Sequence, residues 1–476
     1  MRWLTVAMVV LVSACANSGK PGQQPCAASD QCTDASKPYC VSGTCVACEG
    51  PSSCTPDLPR CAADTQTCAT CTADPDCSAY PTMTYCDTAK GSCVGCLMSS
   101  QCDAAAPVCD SMTQTCRGCT ADAECGSGVC DAAAGTCVAE ANVLYAISTG
   151  IATSSCTKLD PCTLVKAFSL VDATKNTIKM GSGTYLTGPT ITASLPITVY
   201  GAGATLKSTM IIMGGANVKI RGLAFLGDGG VYCAPGTVGG TAPTFDLQDV
   251  SFDTTGTTQT GPFAIQATAC VLDIRRTTFK LVARYDTGIY ASGELMASGA
   301  PANRGSIVTI DRSSFDGGEP AIGLYNYSAI HLKNSLMFGA VPTFAALGYN
   351  DTTVSGTVDF STFINWSWLS GSGPVRFVAS NNLFYDPLHA NTNSLTGLRA
   401  EHHYDLAFPQ MVYPQGTNNM IGMDPMLKDP ANKDFHLMTG SPAIDAADPT
   451  STTPVDYEAT ARPQGVRRDI GAYEYK

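Results

Sequence analysis

Asp246, Asp273 and Asp311, with Arg275 beside them, are the residues whose types and spacing could do chemistry. They fall in three copies of one short text: FDLQDVSF from Phe245, LDIRRTTF from Leu272 and VTIDRSSF from Val308. Asp246 and Asp273 hold the same place in consecutive copies. Two carboxylates brought close together either raise one of their pKa values or recruit a cation such as Ca²⁺. A pair that cleaves a glycosidic bond would want its carboxyls about 5–5.5 Å or about 6.5–9.5 Å apart, and copies stacked in register meet the first spacing by architecture alone. The opposing reading is an exposed sheet on which alternating acids and bases are solvated and pair for modest gain.

Aromatic residues offer a second chemistry. Trp366 and Trp368 alternate in NWSWLSG, and Tyr325 and Tyr327 do likewise nearby, so each pair could face one side of a strand. Ring faces on a rigid flank suit sugar rings, through apolar contact with one polar edge left wet. Core packing or a loop anchor accounts for the same residues equally well. His402 and His403, in AEHHYDL, would need carboxylates beside them to hold a metal, and are expected in a surface loop. No metal or cofactor is expected, apart from Ca²⁺ under a catalytic reading.

What positions these groups is a recurring template: apolar, polar, apolar, two polar, a small or apolar residue, another, then usually Phe. Beyond the three copies above it appears as VKIRGLAF from Val218 and IHLKNSLM from Ile330, and more loosely as VDFSTFIN from Val358 and FVASNNLF from Phe377. Alternation over the first three places says strand, the polar pair says bend, and the last apolar residues say a second short strand. The starts are 27, 27, 36, 22, 28 and 19 residues apart, so the excess lies in loops, the longest from Leu281 to Gly305.

This text resembles a right-handed parallel β-helix of the pectin-lyase-like superfamily, in which each turn is a rung and equivalent positions stack about 4.8 Å apart. A β-sandwich would alternate similarly but leaves the fixed offset of Phe unexplained. The β-helix register puts Phe225, Phe252, Phe279, Phe315 and Phe384 in one internal stack, with Met337 filling a step. It aligns Lys219, Asp246, Asp273, Thr309, His331 and Asp359 in one outward column, beside Arg221, Gln248, Arg275, Asp311 and Lys333. In pectate lyases of that superfamily, aspartates on one sheet bind calcium and an arginine takes the proton. The resemblance then implies Asp246, Asp273 and Asp311 at the metal and Arg275 as base. The chain has no GHG, DD or RIK motif of the polygalacturonase branch. Upstream, PCTLVKAFSLV from Pro161 reads as a short amphipathic helix of the kind that caps the open end of such a coil. The closing text, MDPMLKD from Met423, DFHLMTGSPAIDAAD from Asp434 and RRDIGAYEY from Arg467, looks like the end of bacterial choice-of-anchor surface proteins.

The first 140 residues differ in kind. Arg2 and the apolar run Trp3–Val12 read as a secretory signal, too short to span a bilayer. Val12, Ser13, Ala14 and Cys15 resemble a bacterial lipobox, which implies a lipid on Cys15. Residues 1–15 are thus expected to be a lipoprotein signal, 16–140 a stalk and 141–476 the β-helix. The stalk carries five cysteine quartets: Cys26, Cys32, Cys40, Cys45; Cys48, Cys54, Cys61, Cys68; Cys71, Cys77, Cys86, Cys93; Cys96, Cys102, Cys109, Cys116; and Cys119, Cys125, Cys130, Cys137. Between Ala16 and Glu140 there is no Ile, Phe or Trp, so burial cannot offset the cost of ordering the backbone, roughly 1–2 kcal/mol per residue. Disulfides, two per module, are expected to supply the difference in an oxidising compartment. Zinc knuckles and redox motifs are the alternatives, and pairing within a quartet stays open among three connectivities. Cys156 and Cys162 are expected to close a small loop, and Cys233 with Cys270 to pair less securely.

The stalk holds five Lys or Arg against fourteen Asp or Glu, most of the chain's net charge of −12. A negative surface of this kind gives no electrostatic reason to bind nucleic acid. The reading is therefore an all-β protein, a right-handed parallel β-helix preceded by small disulfide-rich repeat modules, lipid-anchored in the cell envelope at the outer membrane or cell surface. It binds polysaccharide or a cell-surface partner. A polysaccharide lyase or glycoside hydrolase and an inert spacer are the alternatives, because this architecture hosts all three.

Overall fold

The computed structural model describes residues 24–476 except 284, 295–303, 319, 340–344, 350–352, 366, 371–376, 388–399 and 410–414, and gives only the backbone of 345–349, 367–370 and 415. Cys15 and its lipobox lie outside the described residues. The chain forms two compact units, Met1–Val138 and Ala139–Lys476.

The first unit is five copies of one module. Each has a short 3₁₀ turn before its second cysteine and then an antiparallel hairpin that sets the third and fourth cysteines opposite each other, as in Cys40 with Cys45 and Cys130 with Cys137. The first cysteine bonds the third and the second bonds the fourth in every module: Cys26–Cys40 and Cys32–Cys45, Cys48–Cys61 and Cys54–Cys68, Cys71–Cys86 and Cys77–Cys93, Cys96–Cys109 and Cys102–Cys116, Cys119–Cys130 and Cys125–Cys137. The opposed pair of the hairpin thus holds two different parts of the preceding loop. The residue just before each second cysteine ties that loop shut. Gln31, Ser53, Asp76, Gln101 and Glu124 each accept a backbone N–H from the start of their turn, and Glu124 also holds Arg117 at 2.6 Å.

The second unit is a parallel β-helix with three sheets. One has twelve strands, from Val143–Ile151 to Gln415–Thr417, a second eleven, from Gly183–Tyr185 to Met420–Ile421, and a third eight, from Thr190–Ile191 to Ser367–Ser370. The template is the first strand, the bend and the second strand of one turn. The third sheet runs through text expected to be loops, including Thr287–Ser292 within the stretch from Leu281 to Gly305. Helix Leu164–Ser169 is as expected, its start held by the Thr163 hydroxyl accepting the Lys166 N–H, and Leu164 and Ala167 join the core.

Phe225, Phe252, Phe279 and Phe315 stack face to face, with centroids 4.7, 5.0 and 4.4 Å apart. Met337 follows, then Phe363, then Phe384. Phe363 was absent from the expected stack because the copy near it starts at Gly356, not Val358. Gly356 pairs with Ile330 and Phe377, and a side chain there would press on the Ile330 carbonyl and the Phe377 ring. Glycine hides the first inward place of that copy. Asp359 consequently leaves the column of Asp246 and Asp273 and stands beside Lys333, while Thr357 follows His331.

From Gly222 onward the bend has one conformation. Its first residue takes a positive φ in Gly222, Asp249, Arg276, Arg312, Asn334, Phe360, Asn381, Tyr404 and Asn418, the region that Gly, Asn and Asp tolerate best. The next residue turns inward, and from Thr277 onward its backbone N–H donates to the side-chain oxygen one rung on. Ser313 accepts at 3.1 Å, Ser335 and Ser361 at 3.2 Å, Asn382 at 2.9 Å, Asp405 at 2.7 Å and Asn419 at 3.0 Å. A polar ladder inside the coil satisfies donors that the bend leaves without strand partners.

His402 and His403 are on strand Ala400–His403, not in a surface loop. His402 takes an inward place that is aliphatic in most earlier rungs, is fully buried, and shares a 2.6 Å hydrogen bond from Nδ1 with Asp405 Oδ2. His403 faces out and meets the Thr417 hydroxyl at 3.1 Å. The ladder supplies the carboxylate that makes an inward imidazole tolerable.

On the outer face of the second sheet, polar residues such as Ser251, Asp253, Thr278 and Lys280 give way to Leu336, Phe338, Ile364, Leu383 and Leu406. The C-terminal segment covers that apolar stripe with Leu427, Phe435, Leu437, Ile470 and Tyr473. Arg462 lies over the Phe360 ring, its centre 4.4 Å from the centroid, and pairs with Glu474 at 3.1 Å, both fully buried. Disulfides Cys156–Cys162 and Cys233–Cys270 are formed, the second joining two rungs of the third sheet region.

Candidate functional site

Asp246 and Asp273 stand directly opposite each other on neighbouring strands of the twelve-stranded sheet, and Arg275 stands opposite Asp311. Every one of these acids already has a cationic partner. Arg221 grips Asp246 with two bonds of 3.0 and 2.9 Å, Arg275 bonds Asp273 through Nε at 3.0 Å and again through Nη2, and Arg312 lies 3.3 Å from Asp311. Asp311 also accepts from Asn334 at 3.1 Å. One bend away Arg276 clamps Asp249 at 2.6 and 2.7 Å, and this hydrogen-bonded guanidinium holds the Asp249 carboxyl below its usual range. Hydrogen bonding to Asp273 raises the Arg275 pKa, so its guanidinium holds its proton harder than usual. The side chains of Arg275 and Asp273 are 43% and 34% exposed, so solvent screens the pair and its worth to stability is about 0–1 kcal/mol.

Among the described residues, the groups of three or more His, Cys, Asp or Glu close enough to share one metal ion consist of cysteines alone. Every one of those sulfurs is already in a disulfide. Asp246, Asp273 and Asp311 thus form a charge ladder with alternating partners, in which no carboxylate trio converges on one point.

The third sheet presents a different surface. Tyr325 stacks on Tyr290 with centroids 4.8 Å apart, and Phe263 meets the other side of Tyr290 at 4.8 Å with its plane tilted by 46°. Tyr290 pairs in register with Gly323, and the Tyr325 ring folds back over that glycine: a Cβ there would meet ring carbon Cε2 at 3.1 Å. Burial pushes the Tyr325 hydroxyl pKa up, so it stays a neutral donor. Tyr327 is apart from this row, at a positive φ, with its N–H donated to the Thr353 hydroxyl at 2.8 Å. Trp366 and the side chain of Trp368 lie outside the described residues.

Beyond Phe263 the row ends at a recess holding about 470 Å³ of space, its open mouth included, lined by Phe263, Pro262, Tyr232, Gln266, Gln259 and Asp228 among others. Phe263 is 40% exposed. Gln266 sits between Tyr232 and Tyr290 in the register of the sheet. Asp228 has both oxygens engaged: Oδ1 accepts from the Thr257 hydroxyl at 2.6 Å and the Thr258 N–H at 2.9 Å, and Oδ2 from the Thr258 hydroxyl at 2.7 Å. Those bonds, the Thr257 hydroxyl foremost, keep its carboxyl below the usual range.

Of the two expected aromatics whose side chains are described, Tyr325 belongs to this row and Tyr327 does not. Phe263 and Tyr290 were missed because they lie in text taken for loops. The available signal was apolar alternation in PFAIQAT and TGIYAS, where Ile265 and Ala267, and Ile289 and Ala291, turn inward.

Comparison with protein families finds no match, and comparison with curated proteins finds none either. Among solved structures, that of pectate lyase Pel9A is similar, with 14% identity, a TM-score of 0.41, and coverage of 71% of this chain and 98% of that one. No activity or substrate follows for this chain from a likeness of that size.

Proposed function

We propose that this chain is a lipid-anchored cell-envelope protein whose β-helix binds polysaccharide on the outer face of the third sheet without cleaving it. The observation that carries the reading is the row of Phe263, Tyr290 and Tyr325, surface rings about one rung apart on a rigid scaffold. Rings held in place lose little side-chain entropy when a sugar docks, and each offers apolar area beside polar groups. Twelve disulfides among the described residues fit an oxidising compartment, in keeping with a secretory signal and the lipobox text ending at Cys15.

A second reading, a polysaccharide lyase or glycoside hydrolase using Asp246, Asp273, Arg275 and Asp311, is favoured by the opposition of Asp246 to Asp273 across neighbouring strands. It requires those carboxylates to leave their arginines before they can hold Ca²⁺ or move a proton. Incubating the purified chain with uronic-acid and neutral polysaccharides, with and without Ca²⁺, separates the readings. Retention of a polysaccharide without shortening, weakened in Tyr290→Ala, is the expected result. Unsaturated product absorbing in the ultraviolet would replace binding by lyase chemistry. No retention of any member of the panel would leave the spacer.

A further inference from the structure

We infer that the recess beside Phe263 is a subsite for an uncharged sugar ring and discriminates against uronic acids. The inference rests on the polysaccharide-binding reading and adds the ligand's chemical class.

The free side of Phe263 walls the recess, because its other side is taken by Tyr290. An exposed aromatic face beside a concavity offers a pyranose ring its apolar contact. Gln266, Gln259 and the Tyr232 hydroxyl supply neutral donors and acceptors for ring hydroxyls. Among the described residues, no Lys or Arg lines it. The single ionisable acid there, Asp228, is held ionised by Thr257 and Thr258. A uronate entering this space would lose water from its carboxylate, meet a fixed negative charge and find no cation among the described lining residues. A neutral sugar meets the same carboxylate as an acceptor for a hydroxyl. With both Asp228 oxygens already serving the Thr257–Thr258 turn, the group is also poorly placed to give them up to a bridging Ca²⁺. Arg221, Arg275 and Arg312 are engaged by the aspartates of the twelve-stranded sheet.

The test uses the full chain with disulfides intact and isothermal titration of neutral hexasaccharides (gluco-, manno- and xylo-) against an oligogalacturonate of equal length, with and without Ca²⁺. At least one neutral hexasaccharide is expected to bind at least ten times more tightly than the oligogalacturonate. Phe263→Ala and Gln266→Ala should each weaken it tenfold or more, and Arg276→Gln, at the bend that follows the twelve-stranded sheet, should leave it unchanged. Gln266→Ala, a polar surface truncation, keeps the test valid if loss of the Phe263 ring disturbs folding. Uronate binding equal to or tighter than neutral binding would overturn the discrimination and leave polysaccharide binding standing. So would neutral binding that both recess variants retain, since the site would then lie elsewhere. Binding of neither class would overturn the polysaccharide reading itself.

Discussion

Replacing Asn382 with alanine and, separately, with serine tests whether the internal polar ladder holds the β-helix together. Asn382 is fully buried, and its side chain makes three bonds. Oδ1 accepts the Ser361 N–H at 2.9 Å, and Nδ2 donates to the Val358 carbonyl at 2.9 Å and to Asp405 Oδ1 at 3.1 Å. Alanine leaves the Ser361 N–H without an acceptor and removes a donor from a buried carboxylate. A buried polar group left unsatisfied costs about 1–3 kcal/mol, and two of them sum to about 2–6 kcal/mol. Serine is what the chain itself uses at the same place in the three preceding rungs, where the hydroxyl accepts the neighbouring N–H at 3.1–3.2 Å. It restores the Ser361 acceptor but not the bond to Asp405, so the expected loss is about half that of alanine. Urea unfolding at pH 7 with disulfides intact, followed by far-ultraviolet circular dichroism, reads both values. Equal losses in the two variants, or an alanine loss under about 1 kcal/mol, would refute the ladder's role.

Burial pushes the Asp359 pKa up to about 6, with the Asn381 bond opposing and Asp405 adding to the rise. The folded state therefore holds that proton more firmly than the unfolded chain, whose value is 3.8, and this contribution to stability falls as pH rises from about 4 to about 6. Asp359→Asn should match the parent near pH 4 and exceed it by about 3 kcal/mol at pH 7 in urea titrations, and a constant difference across that range would count against it. Leu383→Asp places a charge under the C-terminal segment, and limited proteolysis should then cut within 424–476 while the parent resists; equal resistance would mean the segment is held by something other than the apolar stripe. Replacing Cys125 and Cys137 together with serine removes a bridge across 12 residues and should cost the fifth module about 3 kcal/mol. Loss of protected amides in Cys130–Asp131 and Thr136–Cys137, with the β-helix dichroism unchanged, is the expected outcome.

The phenylalanine stack and the strand–bend–strand text were legible because inward places repeat at a fixed offset and demand bulk. The slip at Gly356 shows the limit of that logic. There a glycine yields its volume to the Phe377 ring above it, and Phe360, at the left-handed bend position, turns outward to meet Arg462, imitating an inward residue in the sequence. His402 was illegible for a related reason. A polar side chain at an inward place makes sense only beside Asp405, and that adjacency belongs to the ladder rather than to the alternation of the strand. The third sheet escaped because the connections leading to it vary in length, so its strands hold no constant distance from the Phe positions. The aromatic row was lost with it. Pairing within the quartets needed the hairpins, since opposition of the third and fourth cysteines forbids neither alternative until the turn before them is placed.

The two decorated faces differ in what repetition does to them. On the twelve-stranded sheet, stacking equal positions brings like charges together, and the chain answers by setting an arginine within reach of each acid: Arg221 for Asp246 one rung away, Arg275 for Asp273 two residues along, Arg312 for its neighbour Asp311. Repulsion between rungs is removed, and with it the bare carboxylate that a metal or a proton transfer would need. On the third sheet the rings come from unequal positions, Phe263 pairing in register with Thr287 and Tyr290 with Gln266 and Gly323, and they meet through their side chains, which needs no counterion and leaves Phe263 40% exposed at the end of the row. Regularity thus neutralises the first surface, while the second keeps an exposed apolar wall beside Gln259, Gln266 and Asp228. The proposed ligand recognition therefore rests on the rings, and the charges serve structural pairing.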